Sequence, residues 1–147
     1  MSKPRSLKLI LPFPSRDLLP NKTLGQGWRC HFKQTGELRY ATALSAKSQK
    51  PRGFRPFESY GVIITFYAAN RKSLPDRLNL VSAAKAMIDA LQPERTVYDK
   101  AGLPKRVEPG AGIIASDSDK HFTGDFVLPP VQIDPSNPRT EMVIEEV

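Results

Sequence analysis

The chain has 147 residues, of which 39% are hydrophobic and 25% are charged, as expected for a single globular domain with one core. No apolar run is long enough to span a membrane, and the short apolar run near the N-terminus is too short for the core of a signal peptide. The single cysteine, Cys30, excludes an internal disulfide and a thiolate-rich zinc site. We therefore expect a cytoplasmic protein.

The formal net charge of +7 is unevenly distributed along the chain. Residues 1–56 hold 12 Lys and Arg against 2 Asp and Glu, a balance of +10, whereas residues 57–147 hold 10 against 13, a balance of −3. The basic half can attract a polyanion, and the acids of the other half can hold a cation. This asymmetry favours nucleic acid as a partner over a basic surface that serves solubility alone.

Hydrophobic patterning predicts a strand, a helix and a second strand in the first half of the chain. The run LKLIL, residues 7–11, predicts the first strand, which ends at Pro12. Helix formers within residues 28–50 predict a helix, and GELRYATALSAKSQK is its strongest part. Residues 59–69, SYGVIITFYAA, are β-branched and aromatic, which is typical of a central strand.

The segment PDRLNLVSAAKAMIDAL, residues 75–91, predicts an amphipathic helix. Its apolar residues recur at helical spacing and form a single stripe, made of Leu80, Ala83, Ala84, Met87, Ile88 and Leu91. Asp76 directly precedes this stripe. Since Asp is among the best N-cap residues, a helix cap is the simplest interpretation of Asp76.

The last third of the chain predicts loops and two further strands. Residues 92–112 are rich in Gly and Pro and predict a long loop, of the kind that is functional or mobile. An acidic turn in ASDSDK precedes a strand predicted from about residue 120 to 127, and a Pro-rich connection over 129–138 leads to a last strand, EMVIEE, at 141–146. The order of elements predicts one α+β domain over residues 1–147, with a mixed sheet and two main helices.

The acids at two places, Asp76 at the helix start and Asp117 with Asp119 in the turn, are candidate metal ligands. Each place alone is explained by a helix cap or a solvated turn. In a chain with a strongly basic half, the two places together indicate a divalent-cation site that faces a polyanion. Mg²⁺ suits such a site because one or two carboxylates usually hold it, while water and substrate phosphate oxygens complete its shell.

These segments resemble the RusA family of Holliday-junction resolvases, whose phage and bacterial members carry a helix signature of the form Asp-x-Asp-Asn-Leu-Val-x-Ala-x-Lys and an Asp-Gly/Ala-Leu ending. Here the signature reads DRLNLVSAAK over residues 76–85 and continues to DAL at 89–91. SDSDK at 116–120 is similar to the family's later acidic turn. The opening LILPFPS and the ending MVIEEV are similar to its first and last strands. The resemblance implies a RusA-like fold.

The resemblance also implies a function in DNA recombination and repair. A RusA-like protein would be a homodimer that binds four-way DNA junctions and nicks two strands symmetrically with Mg²⁺, for which Mn²⁺ can substitute. The catalytic roles carry over to Asp76, Asp117 and Lys85. Neither a membrane nor a small organic cofactor is implied.

Leu78 departs from the family pattern, because it stands where the signature has its second Asp. Two alternatives follow. Either Asn79, Asp119 or water completes the ion's shell in an active endodeoxyribonuclease, or the site is inactive and the chain only binds branched DNA. Under the second alternative, Leu78→Asp should create or raise activity.

Basic residues supply the predicted DNA surface, formed by Arg16, Lys22, Arg29, Arg71, Lys72 and Arg77. The last three are the most informative because they flank Asp76 and can hold a phosphate there. Ordinary solubility is the alternative for each single Lys or Arg. A third interpretation is an unrelated basic domain, such as an RNA-binding or phage structural protein, in which Asp76 and Asp117 lie far apart.

Overall fold

The computed structural model describes residues 3–14, 27–73 and 76–147, and within these ranges it describes every side chain except those of residues 27–35 and 73. In this part of the chain the fold is α+β, with two α-helices beside a mixed sheet, as the sequence predicts. Neither of these helices has the combination of length and apolar character that crossing a membrane requires.

The strands of the described residues are, in chain order, β1 (Ser6–Leu11), β2 (Tyr60–Ala68), β3 (Arg95–Tyr98), β4 (Pro104–Glu108), β5 (Phe126–Val127), β6 (Gln132–Ile133) and β7 (Arg139–Glu146). The main sheet has the order β1-β7-β2-β5, and β6 also pairs with β2. β7 is antiparallel to both of its neighbours, whereas β5 and β6 are parallel to β2. The predicted central position of β2 is confirmed.

Two α-helices accompany the sheet, α1 (Gly27–Gln49) and α2 (Arg77–Asp89), and a 3-10 helix, Arg71–Ser73, precedes α2. Both α-helices lie where the sequence predicts them. The apolar stripe of α2 is buried along its length, and it joins the inward-facing residues of the sheet in one core that includes Ile64, Phe66, Leu80, Met87, Leu91, Met142 and Ile144. α1 lies against α2 and β1.

The prediction of a long loop over residues 92–112 is wrong, because β3 and β4 pair there as an antiparallel hairpin. The carboxylate of Asp99 accepts hydrogen bonds from the backbone N–H groups of Ala101 and Leu103, each at 2.9 Å. Gly102 closes the turn with a φ of +81°, which glycine adopts without steric cost. The Gly and Pro residues that indicated a loop lie in this turn and at the two ends of β4.

The strand predicted from about residue 120 is shorter than expected and consists of Phe126–Val127. The backbone N–H groups of His121 and Phe122 both bond to the Ser118 carbonyl oxygen and form a turn. The Gly124 N–H then bonds to the Tyr60 carbonyl oxygen at 2.9 Å, which brings the chain alongside β2. Local turn hydrogen bonds therefore replace the first part of the predicted strand.

Candidate functional site

Asp76 and Asp117, which the sequence predicted to share one metal site, lie at opposite ends of α2. Asp76 occupies the N-cap position with φ −63° and ψ 150°, and its carboxylate makes no capping hydrogen bond. Asp117 lies beyond the other end, next to Asp89 in the wall of the same cleft and close enough to raise the pKa of its carboxyl group. The 13 residues of α2 between them span about 20 Å at 1.5 Å per residue. The structure therefore places Asp117 beside Asp89 and does not bring Asp76 to it, which is the separation expected of the third interpretation, an unrelated basic domain.

Asp89 is the last residue of α2 and is half-buried. Burial raises the pKa of its carboxyl group, and the hydrogen bond to Asp117 and the negative charge of Asp117 raise it further, to about 6. Positive charge on Arg39 and Lys85 acts in the opposite direction. Two carboxyl groups that share a proton repel each other once both are ionised. A cation between them would relieve that repulsion.

The segment that follows the hairpin is held against the end of α2 by backbone hydrogen bonds. The Ala111 N–H bonds to the Ala90 carbonyl oxygen at 2.9 Å, and the Ile113 N–H bonds to the Leu91 carbonyl oxygen at 2.8 Å. Ala111 and Ile113 are themselves buried in the core. This attachment brings the acidic turn to Asp89.

Gly110 permits the close approach of the two backbones. A Cβ atom at this position would overlap the Gln92 carbonyl oxygen and would lie 2.6 Å from the Pro93 carbonyl carbon. Both neighbours are backbone atoms, so neither can move aside as the end of a side chain would. The absence of a side chain at residue 110 is therefore a condition for the position of Asp117.

Gln92 and Tyr60 hold the acidic turn in place. The Asp117 N–H donates to Gln92 Oε1 at 3.4 Å, and Gln92 Nε2 donates to the Asp89 carbonyl oxygen at 3.3 Å. The Tyr60 hydroxyl donates to the Ser116 carbonyl oxygen at 2.8 Å. Burial, and then the charges of Asp117 and Asp89, raise the pKa of Tyr60, so the phenol keeps its proton and remains a donor.

The carboxylate pair opens into a cleft of about 600 Å³. α1, the end of α2, the base of the hairpin and the acidic turn all contribute to its wall, which is lined by Arg39, Asp89, Gln92, Pro93, Glu94, Arg95, Glu108, Pro109, Ala115, Ser116 and Asp117. Most of these residues are polar or charged. The cleft therefore fits a charged ligand better than an apolar one.

Arg39 contributes a hydrogen-bond donor to the wall of this cleft. One of its terminal nitrogens lies 3.9 Å from Glu108 Oε2, while its Nε is buried and has no hydrogen-bond partner among the described residues. Glu108 also accepts hydrogen bonds from Arg95 at 2.6 Å and from Arg106, and the Arg95 bond is the main cause of its lowered pKa. The enclosed Nε cannot itself reach a ligand in the cleft, but the side chain as a whole keeps 29% of its accessible surface, and guanidinium groups bind oxyanions strongly.

Lys85 and Asp117 are the two predicted catalytic residues that lie near Asp89. Lys85 lies one helical turn before Asp89 and is close enough to lower the pKa of that carboxyl group. Asp119, a predicted metal ligand, is exposed in the same turn as Asp117. Among the described residues, no group of three or more His, Cys, Asp and Glu side chains converges as a metal site would.

The other predicted site residues lie elsewhere. Asn79 is buried in the first turn of α2, near Asp76 and far from Asp117. The predicted DNA-binding residues Arg71, Lys72 and Arg77 are exposed at that same end of the helix. Arg29 lies in α1, where its side chain is not described. The predicted DNA contacts Arg16 and Lys22 lie outside the described residues.

Sequence reasoning missed Asp89 and Arg39 as members of the site. The position of Asp89 could have indicated a function. An acid in the last turn of a helix is destabilised by the negative end of the helix dipole, so its presence there suggests a role other than stabilising the helix. Arg39 had none, since nothing in the sequence distinguishes it from the other basic residues of α1.

Comparison with known proteins identified no relative, since no family model and no curated protein matches the chain. The RusA interpretation therefore stays a prediction that depends on the helix signature and the acidic turn. The carboxylate pair is an independent observation, because it comes from the packing of α2 against the acidic turn.

Proposed function

We propose that the chain is a Mg²⁺-dependent, structure-selective endodeoxyribonuclease that resolves four-way DNA junctions. The single observation that carries this proposal is the Asp89–Asp117 carboxylate pair at the mouth of a polar cleft that also holds Arg39. The resemblance of the helix signature and the acidic turn to the RusA family supplies the reaction and the substrate class. The strongly basic N-terminal half supports a polyanionic substrate.

Asp89 and Asp117 are the metal ligands in this proposal, in place of Asp76 and Asn79. Both carboxyl groups line the same cleft, and each lies near enough to influence the other, which supports their binding of one ion. Mg²⁺ is commonly held by only one or two carboxylates, so the absence of a third acid at Leu78 does not exclude a site. A bound Mg²⁺ would polarise the phosphodiester and lower the pKa of the attacking water.

Arg39 and Lys85 bind the charge of the phosphate in this proposal. Arg39 lines the cleft with a partly exposed side chain, and guanidinium groups form strong hydrogen bonds to phosphate oxygens. Lys85 supplies a second positive charge one helical turn from Asp89. Both residues also keep Asp89 more easily ionised, which is the form that a metal ion requires.

A homodimer is part of the proposal, because symmetric nicking of a two-fold junction needs two active sites. A second candidate function is a junction-binding protein without nuclease activity. Leu78 favours it, since the family signature has an acid at that position and here the leucine side chain is 81% exposed.

The test is cleavage of a fluorescently labelled four-way junction in Mg²⁺ and in Mn²⁺ by wild type, Asp89→Asn, Asp117→Asn and Asp76→Asn. Removing a metal ligand should lower the rate by at least about 100-fold, since even residues that only orient a ligand contribute 10- to 100-fold. Asp76→Asn is the matched control and should cut at nearly the wild-type rate.

Equal cutting by wild type and by Asp89→Asn and Asp117→Asn would rule out these two carboxylates as the metal site. Tight, salt-sensitive junction binding by wild type without any nicking would replace the nuclease with the second candidate. Neither binding nor cutting of the junction would favour the third interpretation, an unrelated basic domain.

A further inference from the structure

The hairpin formed by β3 and β4, residues 95–108, is exposed on both of its faces. Its strands pair with each other and not with the main sheet. Of its 14 residues, only Val97 and Glu108 are partly buried, and the other 12 are exposed. The large apolar side chains of Tyr98, Leu103 and Val107 are 59%, 62% and 55% exposed. A ribbon with this much exposed apolar surface is typical of a segment that contacts a partner.

The charges of the hairpin divide between its base and its tip. At the base, Arg95 and Arg106 are paired with Glu108 at 2.6 and 3.3 Å. At the tip, Asp99 is engaged with the backbone of the turn. Lys100 and Lys105 make no ion pair with any described residue, and together with the Asp99 carboxylate they give the outer end of the hairpin a net charge of +1.

The base of the hairpin is part of the carboxylate cleft. Arg95 and Glu108, the first and last residues of the ribbon, line the cleft together with Asp89 and Asp117. A ligand held along the hairpin would therefore lie next to the candidate metal ligands. A DNA arm in that position would have its backbone close to the cleft.

We propose that residues 95–108 form a DNA-binding β-ribbon that enters the groove of a junction arm beside the cleft. The inference rests on the proposed function, and it identifies the surface that holds the duplex. A five-residue strand is about 17 Å long at 3.4 Å per residue, and a two-stranded ribbon fits a major groove about 12 Å wide. Lys100 and Lys105 contact phosphates, and Tyr98 and Leu103 contact the groove wall.

A second copy of the chain is the other conceivable occupant of the exposed apolar side chains. DNA is the better match because the apolar residues share the tip with Lys100 and Lys105. An interface between two identical tips would bring four positive charges together, whereas phosphates would neutralise them.

The experiment measures binding of a labelled four-way junction without divalent ions, over a range of salt concentrations, for wild type and two double variants. Lys100→Gln/Lys105→Gln removes the tip charges, and Lys3→Gln/Lys47→Gln removes two exposed charges elsewhere. The loss of two phosphate contacts should lower the magnitude of the salt slope by about 1.8 and raise Kd roughly 10- to 100-fold near 0.1 M salt. The control variant should change Kd by less than threefold. Thermal unfolding of each variant checks that the fold is intact.

If the two double variants weaken binding equally, the effect is one of total charge and the ribbon proposal is overturned. The same conclusion follows if Leu103→Ser converts a wild-type dimer into a monomer in analytical ultracentrifugation, because the tip would then bind a second copy. Failure of the ribbon alone would leave Mg²⁺-dependent cutting sensitive to Asp89→Asn. Failure of the proposed function would instead show as no junction binding by wild type.

Discussion

The carboxyl groups of Asp89 and Asp117 lie side by side in the wall of one cleft, where the end of α2 meets the acidic turn, although 27 residues lie between them in the sequence. The segment between them leaves α2, forms the hairpin and returns to contact the same helix end. The hairpin therefore does not interrupt the site. Because the chain reverses direction in the hairpin, Asp117 returns to the helix end that carries Asp89.

Asp89 is expected to make the stability of the protein depend on pH. Its pKa is about 6 when folded and has an ordinary value of 3.8. Between these values the folded state holds a proton that the unfolded state has released, so the free energy of unfolding falls as the pH rises through this window. Because Asp89 is partly solvated, we expect a loss of about 1–2 kcal/mol. Urea unfolding of wild type and Asp89→Asn at pH 4 and pH 8 measures it, since the difference between the two proteins cancels the opposite contribution of carboxyl groups whose pKa is lowered, such as Glu108.

Asp89→Asn should remove this pH dependence and stabilise the metal-free protein at pH 8 by about 1 kcal/mol. At pH 4 the variant and the wild type should have similar stability, because the wild-type group is then mostly protonated. Asp119→Asn, which alters an exposed acid in the same turn, is the control and should unfold like wild type. A variant that is less stable than wild type at pH 8 would contradict the repulsion between Asp89 and Asp117.

Divalent cations should stabilise the wild-type protein through the same pair. At an ion concentration ten times Kd, the free energy of unfolding should rise by about 1.4 kcal/mol. Thermal unfolding with increasing MgCl₂ or MnCl₂ gives the measurement, and Asp117→Asn should abolish the rise in Tm. The effect should weaken below pH 6, where protons compete with the ion for Asp89. An equal rise in Tm for Asp117→Asn would mean that the ions bind elsewhere.

Gly110→Ala should destabilise the fold and separate the carboxylates. The added methyl group meets backbone atoms of Gln92 and Pro93, so the cost should be about 1–3 kcal/mol. Gly36→Ala is the matched control, because Gly36 lies in α1 with no atom within 4 Å of the added Cβ. That change should stabilise the protein by about 0.5–1 kcal/mol.

Chemical denaturation compares the two glycine variants, and the pH dependence of unfolding reports on the site. In Gly110→Ala the slope between pH 4 and pH 6 should diminish as Asp117 moves away from Asp89. A Gly110→Ala protein with wild-type stability and an unchanged slope would show that the backbones do not approach as closely as described.

Leu78→Asp should change junction cleavage by less than about twofold. Leu78 lies in the first turn of α2, so an acid there would be about 16 Å from Asp89 along the helix axis. Its expected effect is a stabilisation of about 0.3–1 kcal/mol, since a negative charge is favourable near the helix N-terminus. Initial cleavage rates with and without the substitution provide the measurement. A large gain in activity would place the metal site at the Asp76 end of α2.

The elements that could be predicted from the sequence are those whose signal is local and periodic. The stripe from Leu80 to Leu91 specified both the existence of α2 and its buried face. The β-branched run of β2 specified a central strand. The hairpin was missed because its strands are short and solvent-exposed, so that no alternation of buried and exposed residues distinguishes them from a loop.

The candidate site shows the limit of local signals more clearly. The residues of the helix signature and the acidic turn could be selected from their chemical type, and Lys85 and Asp117 each lie close enough to Asp89 to influence the pKa of its carboxyl group. The position to which the chain returns after the hairpin determines whether the acidic turn contacts the Asp76 end or the Asp89 end of α2. Backbone hydrogen bonds to Ala90 and Leu91 and the absence of a side chain at Gly110 decided that the turn meets the C-terminal end of the helix. The sequence alone determined which acids were available, whereas long-range backbone contacts determined which two of them lie close together, because periodicity within an element carries no information about distances between elements.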